Sequence, residues 1–155
     1  MYISDKIEVR QTQKGKAVIA ADDIAPNEVL FEFEKKFLDH PTRLSMQIDG
    51  QVHQISDNPL ALENLLNHSC DPNGFINFDD LTFRASCQIK KGEELAFNYL
   101  TSEWDLANKF TCHCGSQNCY GQIKGFKYLG LKQKKKLEPL LSPFLKEKYL
   151  ESVNN

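Results

Sequence analysis

Asn67-His68-Ser69-Cys70-Asp71-Pro72-Asn73 packs hydrogen-bonding and turn-forming side chains into one short run, with Leu65-Leu66 before it and Phe75-Ile76 after it. Asn, Asp and Ser bond to nearby backbone, and Pro presets one dihedral, so the run reads as a tight polar loop that holds a ligand or satisfies its own main chain. A lone His in such a loop is more often structural than catalytic. Just upstream, Asn58 can cap a helix that has Pro59 at its first position and Leu62, Leu65 and Leu66 on one face. That helix would deliver the loop. Downstream, Lys91-Gly92-Glu93-Glu94-Leu95-Ala96-Phe97-Asn98-Tyr99 reads as a turn and a strand with Leu95, Phe97 and Tyr99 on one face.

Further along, Cys112-His113-Cys114-Gly115-Ser116-Gln117-Asn118-Cys119 places three thiols within eight residues. They can converge on one cation only if the backbone wraps around it, and zinc suits a sulfur-rich tetrahedral set. The chain has five cysteines. An odd number without a secretory signal argues for metal binding over a disulfide framework. A closed site needs a fourth ligand, for which Cys70, Cys87 and His113 are the candidates. Cys87 ends the expected strand Thr82-Phe83-Arg84-Ala85-Ser86-Cys87 and reads more simply as a small buried hydrophobe.

Toward the N-terminus, period-two alternation and β-branched residues predict short strands at Lys6–Arg10, Lys16–Ala20 and Val29–Glu34, with a Pro26-Asn27 turn before the third. A weak echo links Ala20, Ile24, Asn27, Glu28 and Leu30 to Ala85, Ile89, Gly92, Glu93 and Leu95, which share one spacing. Each copy reads as a turn with Asn or Gly where a positive φ is needed, leading into a strand. Leu131 to Leu150 is expected to be helical and broken at Pro139 and Pro143. Its Lys132-Gln133-Lys134-Lys135-Lys136 run reads as a solvated face, so nucleic acid is not an expected partner.

With 155 residues and a formal net charge of -2, the chain is expected to form one main core, and nothing pulls it as a whole toward nucleic acid or anionic membrane. No apolar run could cross a bilayer. The reading is therefore of an intracellular protein, cytoplasmic or nuclear, that is not in a membrane.

Taken together, Asn67 to Asn73, Gly92 to Tyr99 and Cys112 to Ser116 resemble, in order and spacing, the SET domain and post-SET segment of protein-lysine methyltransferases. Trp104-Asp105-Leu106 leading to Phe110-Thr111-Cys112 is similar to the link between those parts in histone-type members. The likeness runs from about Ile7 to Gly121, with an insert around Arg43 to Ser56. It implies a mainly β fold of small curved sheets (a β-clip) with a pseudoknot, in which the Tyr99 segment threads beside the Asn67-His68 loop, plus short helices. The implied division is 1–108 for the SET domain, 109–125 for the post-SET zinc segment and 126–155 for a C-terminal helical extension.

The implied activity is methyl transfer from S-adenosylmethionine to the ε-amine of a lysine in a protein, histone or non-histone. By the same resemblance Lys14, Gly15, Lys16 and Ala17 match the first cofactor loop, and Asn67 and His68 hold the cofactor's amino and adenine groups. Tyr99 matches the tyrosine of the methyl-transfer pore, and Cys70, Cys112, Cys114 and Cys119 match the structural zinc ligands. Phe33 and Phe97 line the lysine channel, and Phe at position 97 implies di- or trimethylation. Several positions depart from the family pattern: Ala17 stands for a glycine, Phe33-Glu34-Lys35 for a Tyr-x-Gly, Asn64 for an arginine, and Asn98 for an aspartate, with Leu100 where glycine is frequent. The alternative these departures raise is a catalytically weak or inactive, zinc-stapled interaction module.

Overall fold

The period-two stretches at the N-terminus close the first hairpin of the computed structural model, which describes residues 1–155. Strand β1 (Ile7–Thr12) pairs antiparallel with β2 (Gly15–Ala20), and β2 buries Ala17, Val18, Ile19 and Ala20 in succession. Strand β3 (Val29–Glu32) follows, with a register irregularity between Val29 and Phe31. Short strands β4 (Phe37–Leu38), β5 (Met46–Asp49) and β6 (Val52–Gln54) form a three-stranded sheet. The insert expected around Arg43 to Ser56 is thus largely the β5–β6 hairpin. Beyond it come helix α1 (Leu62–Leu65) and strands β7 (Asn67–His68), β8 (Gly74–Asn77), β9 (Thr82–Ala85) and β10 (Ala96–Phe97). Strands β11 (Phe110–Thr111) and β12 (Gln122–Ile123) precede helices α2 (Leu131–Leu137) and α3 (Pro143–Asn154). The result is mainly β: three two-stranded and two three-stranded sheets.

The echo in the sequence is a local two-fold in the structure. Ile24 and Ile89 exchange backbone hydrogen bonds of 2.9 and 3.0 Å. Asn27 N–H donates to Ala85 at 2.8 Å, as Gly92 N–H does to Ala20 at 2.8 Å. Ala85 N–H donates to Glu28, as Ala20 N–H does to Glu93. The turn positions Asn27 (φ 64°) and Gly92 (φ 91°) both adopt the left-handed conformation that the spacing predicts. Each copy therefore satisfies the other's main chain, across separations of 57 to 73 residues of sequence.

Crossing of two segments positions the site. β10 runs parallel to β7, with Ala96 opposite Asn67 and Phe97 opposite His68, and Ser69 N–H donates to Phe97 at 3.0 Å. The Asn73 side chain fastens the crossing, accepting from Ala96 N–H (3.1 Å) and donating to the Glu94 carbonyl (2.9 Å). The first apolar core lies beneath, around Phe31, Phe33, Phe83, Leu95 and Phe97.

A second core gathers Leu100, Ile123, Phe126, Leu137, Leu145 and Tyr149 together with Cys70 and Cys112. The cysteine segment and the C-terminal helices thus share one apolar cluster. Gly125 clamps this unit to the chain at Trp104: its φ is 134°, and an added Cβ would lie 2.4 Å from the Trp104 carbonyl oxygen. Gly125→Ala meets backbone strain and a backbone clash at once and should cost about 3 kcal/mol. For a chain of this size that lowers the melting temperature by about 6–12 °C, and an unchanged melting curve would refute the clamp.

Several expectations need correction. The helix expected from Pro59 begins only at Leu62, because Asn58 closes a separate turn, with Oδ1 accepting from Leu60 N–H (3.0 Å) and its carbonyl from Ala61 N–H (2.9 Å). The strand expected through Tyr99 stops at Phe97, where Asn98 Oδ1 accepts from Leu100 N–H and turns Tyr99–Thr101 into a 3-10 helix. Cys87 is neither on a strand nor buried: β9 ends at Ala85, after which Ser86 N–H bonds Asn73 and the chain turns out to solvent. Lys134 is buried within the otherwise exposed lysine run, its ammonium 5.4 Å from the Phe126 ring centre, since a lysine stem can cover core while its head reaches a π face. Pro143 breaks the C-terminal helical stretch by starting a new helix, α3, capped by Ser142 Oγ accepting from Leu145 N–H.

Candidate functional site

The parallel crossing of β7 and β10 leaves a cavity of about 870 Å³ beside it, within the range of small-molecule sites (about 300–1,000 Å³). Its wall includes Phe33, Asn67, His68, Phe97 and Tyr99. The Phe97 and Tyr99 rings sit 4.9 Å apart, and Tyr99 meets the edge of His68 at 5.2 Å. Tyr99 Oη donates to the Leu66 carbonyl at 2.7 Å. Burial pushes the Tyr99 phenol up to about 12, so it stays protonated at neutral pH. It is therefore no base.

His68 is committed on both ring nitrogens. Nδ1 accepts from Tyr99 N–H at 3.1 Å, which leaves Nε2 to carry the proton and donate to Cys70 Sγ at 3.2 Å. Desolvation lowers its pKa to about 4, so the ring is neutral. The ring links the backbone at Tyr99 to the cysteine cluster and has no nitrogen left for a ligand. Asn67 Nδ2 donates to Glu94 Oε1 at 2.6 Å, so Glu94 and Asn73 belong to the site although the sequence alone did not single them out.

Of the first expected cofactor loop, Lys14 lines the cavity while Gly15, Lys16 and Ala17 do not. Ala17 is sealed in β2 with no exposure, so its methyl group does not intrude on the site. Phe33 is buried, its ring 5.1 Å from Phe31, and lines the cavity with Phe97. Asn64 also reaches the wall; its Nδ2 donates to the Asn58 carbonyl at 2.8 Å, so it braces the preceding turn.

Cys70, Cys112, Cys114 and Cys119 bring their sulfurs within 4.8 Å of one another. Cys70 Sγ is 3.7 Å from Cys112 Sγ and 3.9 Å from Cys119 Sγ. Zinc–sulfur bonds of about 2.3 Å in a tetrahedron need sulfurs about 3.8 Å apart, which these distances meet. Backbone N–H groups of Tyr120 and Gly121 point at Cys70 and Cys119 sulfur, as suits thiolates. Burial pushes the Cys70 thiol far above its usual range, so a thiolate there needs a dication to offset desolvation, whereas the Ser116 backbone N–H lowers the Cys114 thiol to about 6. Cys87 and His113 lie outside the set.

A signal missed in the sequence is Glu103, which lines the same cavity. Its Oε1 accepts from Gln47 N–H at 2.8 Å and from the Ser102 hydroxyl at 3.3 Å. Burial raises its carboxyl to about 7. Nothing in a Ser-Glu-Trp triplet announces such a group, because the partner that fixes it comes from β5, fifty-six residues away.

Comparison with known proteins gives a match to the family described as "SET domain" over residues 15–100. Among curated relatives, a histone-lysine N-methyltransferase, H3 lysine-36 specific, of Coccidioides immitis is 32% identical over 142 residues, covering 77% of this chain and 14% of that protein. The methyltransferase flvH of Aspergillus flavus is 44% identical over 63 residues, covering 38% of this chain and 34% of its own. This chain therefore spans about a third or less of the length of these relatives. Among solved structures, KRYPTONITE in complex with mCHG DNA and SAH matches with a TM-score of 0.63 at 21% identity, covering 79% of this chain and 30% of that one. A second KRYPTONITE complex, with mCHH DNA, an H3(1-15) peptide and SAH, matches with a TM-score of 0.60 at 21% identity, with the same coverage.

Proposed function

The chain belongs to the SET-domain family, and from that premise we propose that it transfers methyl groups from S-adenosylmethionine to the ε-amine of a lysine in a protein. The observation that carries the reading is the crossing of β7 and β10, which sets Tyr99, Phe97 and Asn67 on one cavity. The donor set fits the cosubstrate: Asn67 and the Glu94 side chain it bonds offer polar groups to an amino acid moiety, and Lys14 offers a cation. When bound, S-adenosylmethionine supplies an electrophilic methyl. The chain's residues align the amine, exclude water and hold Tyr99 Oη near the transfer; alignment alone is worth about 7–11 kcal/mol in well-oriented systems.

Zinc on the four cysteines would have no chemical role; it would fold the segment that closes over the cavity, where Cys112, His113 and Cys114 form part of the wall. Fungal relatives with H3 lysine-36 in their names, and a neighbour solved with an H3 peptide, favour a histone-like lysine-bearing protein as substrate. No helix is long and apolar enough to cross a membrane. The burial of Ala17 away from the cavity removes one reason for reading the chain as an inactive module.

The test is calorimetric titration of zinc-loaded protein with S-adenosylmethionine. One saturable site, weakened about tenfold by Asn67→Ala, is expected; a folded, metal-loaded protein that binds none would sink the reading. Once a substrate is found, mass spectrometry should show di- or trimethyl-lysine, because the buried Phe97 ring brings no hydroxyl to crowd the amine. Phe97→Tyr should lower the product by one methyl. Monomethyl-lysine alone from the parent protein would refute that assignment.

A further inference from the structure

We infer that Glu103 receives the substrate's ammonium group inside the cavity and takes its proton, making it a specificity-determining and proton-accepting residue for the methyl transfer proposed above, on which this inference rests. Glu103 shares the cavity wall with the apolar and aromatic side chains of Tyr99, Phe33, Phe97 and Met46. The residue is only partly covered, and it lines this cavity. Oε1 is fixed by Gln47 N–H, with the Ser102 hydroxyl, which lies 3.3 Å from both this oxygen and the Tyr99 carbonyl, as a shared donor. Oε2 accepts no hydrogen bond from the protein and is not among the sealed, unpartnered side-chain atoms, which are His53 Nδ1, Asn64 Oδ1 and Asn98 Nδ2. One oxygen is thus held while the other is left for what enters.

Gln47 makes this carboxylate's position rigid. Its N–H holds Glu103, its Oε1 accepts from Trp104 N–H at 3.0 Å, and its Nε2 donates to the Gly50 carbonyl at 3.1 Å. Ser102 has no exposure. A side chain held this firmly at the cavity wall has the preorganisation that a positioning role requires.

No cation of the protein serves Glu103. Burial alone raises its carboxyl, opposed only by the Gln47 N–H and Ser102 bonds. The charged and titratable groups on the cavity wall are the acids Glu63, Asp71, Glu93 and Glu94, the phenol of Tyr99, His68 and His113, the thiols of Cys87, Cys112 and Cys114, and the two fixed cations, Arg43 and Lys14. Arg43 and Lys14 are both exposed, and neither contributes to its ionisation. Glu103 N–H donates to the Tyr99 carbonyl at 3.0 Å, so the two residues are tied one turn apart on the same stretch of backbone. A buried acid without a cationic partner is costly when ionised, so an entering ammonium relieves that cost and is preferred to a neutral group of the same shape.

The proton balance is simple. A lysine ammonium has no lone pair to attack a methyl, and its usual pKa is about 10.4. One N–H bond breaks and one O–H bond forms on Glu103 Oε2, leaving a neutral amine with its lone pair and a neutral acid. The charges of carboxylate and ammonium cancel in place, so the cavity gains no net charge. When the methylated product leaves, the acid returns its proton to water.

The test is made on the whole zinc-loaded chain with n-butylammonium as the probe and n-pentanol as its neutral counterpart of similar length. Carboxyl carbon resonances of labelled glutamates are followed against pH. Glu103 is assigned by through-bond correlation of its carboxyl carbon to its own backbone. Without the methyl donor's positive charge the pair rests as carboxylate and ammonium, and the proton moves only when that charge is also present; saturating n-butylammonium alone should therefore lower the Glu103 titration by about one pH unit or more, while n-pentanol does not. Glu103→Gln keeps an acceptor for Gln47 N–H and should fold. It should weaken n-butylammonium about tenfold or more while S-adenosylmethionine affinity stays within about twofold.

If the protein binds S-adenosylmethionine but n-butylammonium leaves the Glu103 titration unmoved, this inference is overturned and the methyltransferase reading stands. If folded protein binds no S-adenosylmethionine, both fall together. Should Glu103→Gln not fold, the titration of the parent chain decides alone.

Discussion

Tyr99→Phe should lower methyl transfer about a hundredfold while leaving S-adenosylmethionine binding and the melting temperature nearly unchanged. The phenol donates its proton to the Leu66 carbonyl at 2.7 Å and stays protonated, with a pKa of about 12. With that proton committed, its oxygen can offer only lone pairs to the cavity, which suits a polarised methyl or an amine N–H. A preorganised polar group aimed at developing charge in a water-poor site is typically worth about 10²–10³ in rate. Phenylalanine keeps the ring contacts with Phe97 (4.9 Å) and Phe110 (6.0 Å), so packing should persist. The Leu66 carbonyl loses its partner but borders the cavity, where water can replace it at a cost below the about 1–3 kcal/mol of a sealed group. Labelled-methyl transfer and calorimetry on the same sample check both halves. Full activity in the variant would remove Tyr99 from the chemistry, and lost cofactor binding would recast it as a structural residue.

Removing the metal should have the largest effect on stability. Chelation, or Cys70→Ser, is expected to unfold the second core while the first persists. Structural zinc contributes about 10–16 kcal/mol in small zinc-binding peptides, comparable to the about 5–15 kcal/mol that holds a whole domain. Cys70 is the telling position because it belongs to three systems at once: it follows β7, packs in the second core and accepts from His68. Losing it frees the His68 ring and so loosens the backbone bond at Tyr99. Hydrogen exchange should show lost protection in β11, β12, α2 and α3, with β1, β2, β8 and β9 retained, and S-adenosylmethionine binding should disappear. A melting curve unaltered by complete zinc removal, verified by metal analysis, would show the four cysteines to be mere core packing.

The sequence by itself determined much of this. Strand-forming residues marked the segments that become β1 and β2, though not their pairing, and turn chemistry marked Asn27 and Gly92 as left-handed. Three cysteines in eight residues announced a metal site, and prolines marked where the C-terminal helices break. All of these are local, governed by neighbouring dihedrals and by spacings a short chain segment imposes on itself. The resemblance then supplied Cys70 and the crossing of the two loops, which residue patterns had left open.

Only the tertiary structure decided the rest. Cys70 meets Cys112 across forty-two residues, and Gln47 meets Glu103 across fifty-six. Whether Cys87 is buried depended on where β9 lost its partner, and whether Lys134 is buried depended on Phe126 lying beneath it. The echo was visible as spacing, but not that its two copies pair. Burial, and with it the ionisation of Glu103 and Tyr99, is a property of what the rest of the chain brings alongside a residue, and no local pattern encodes it.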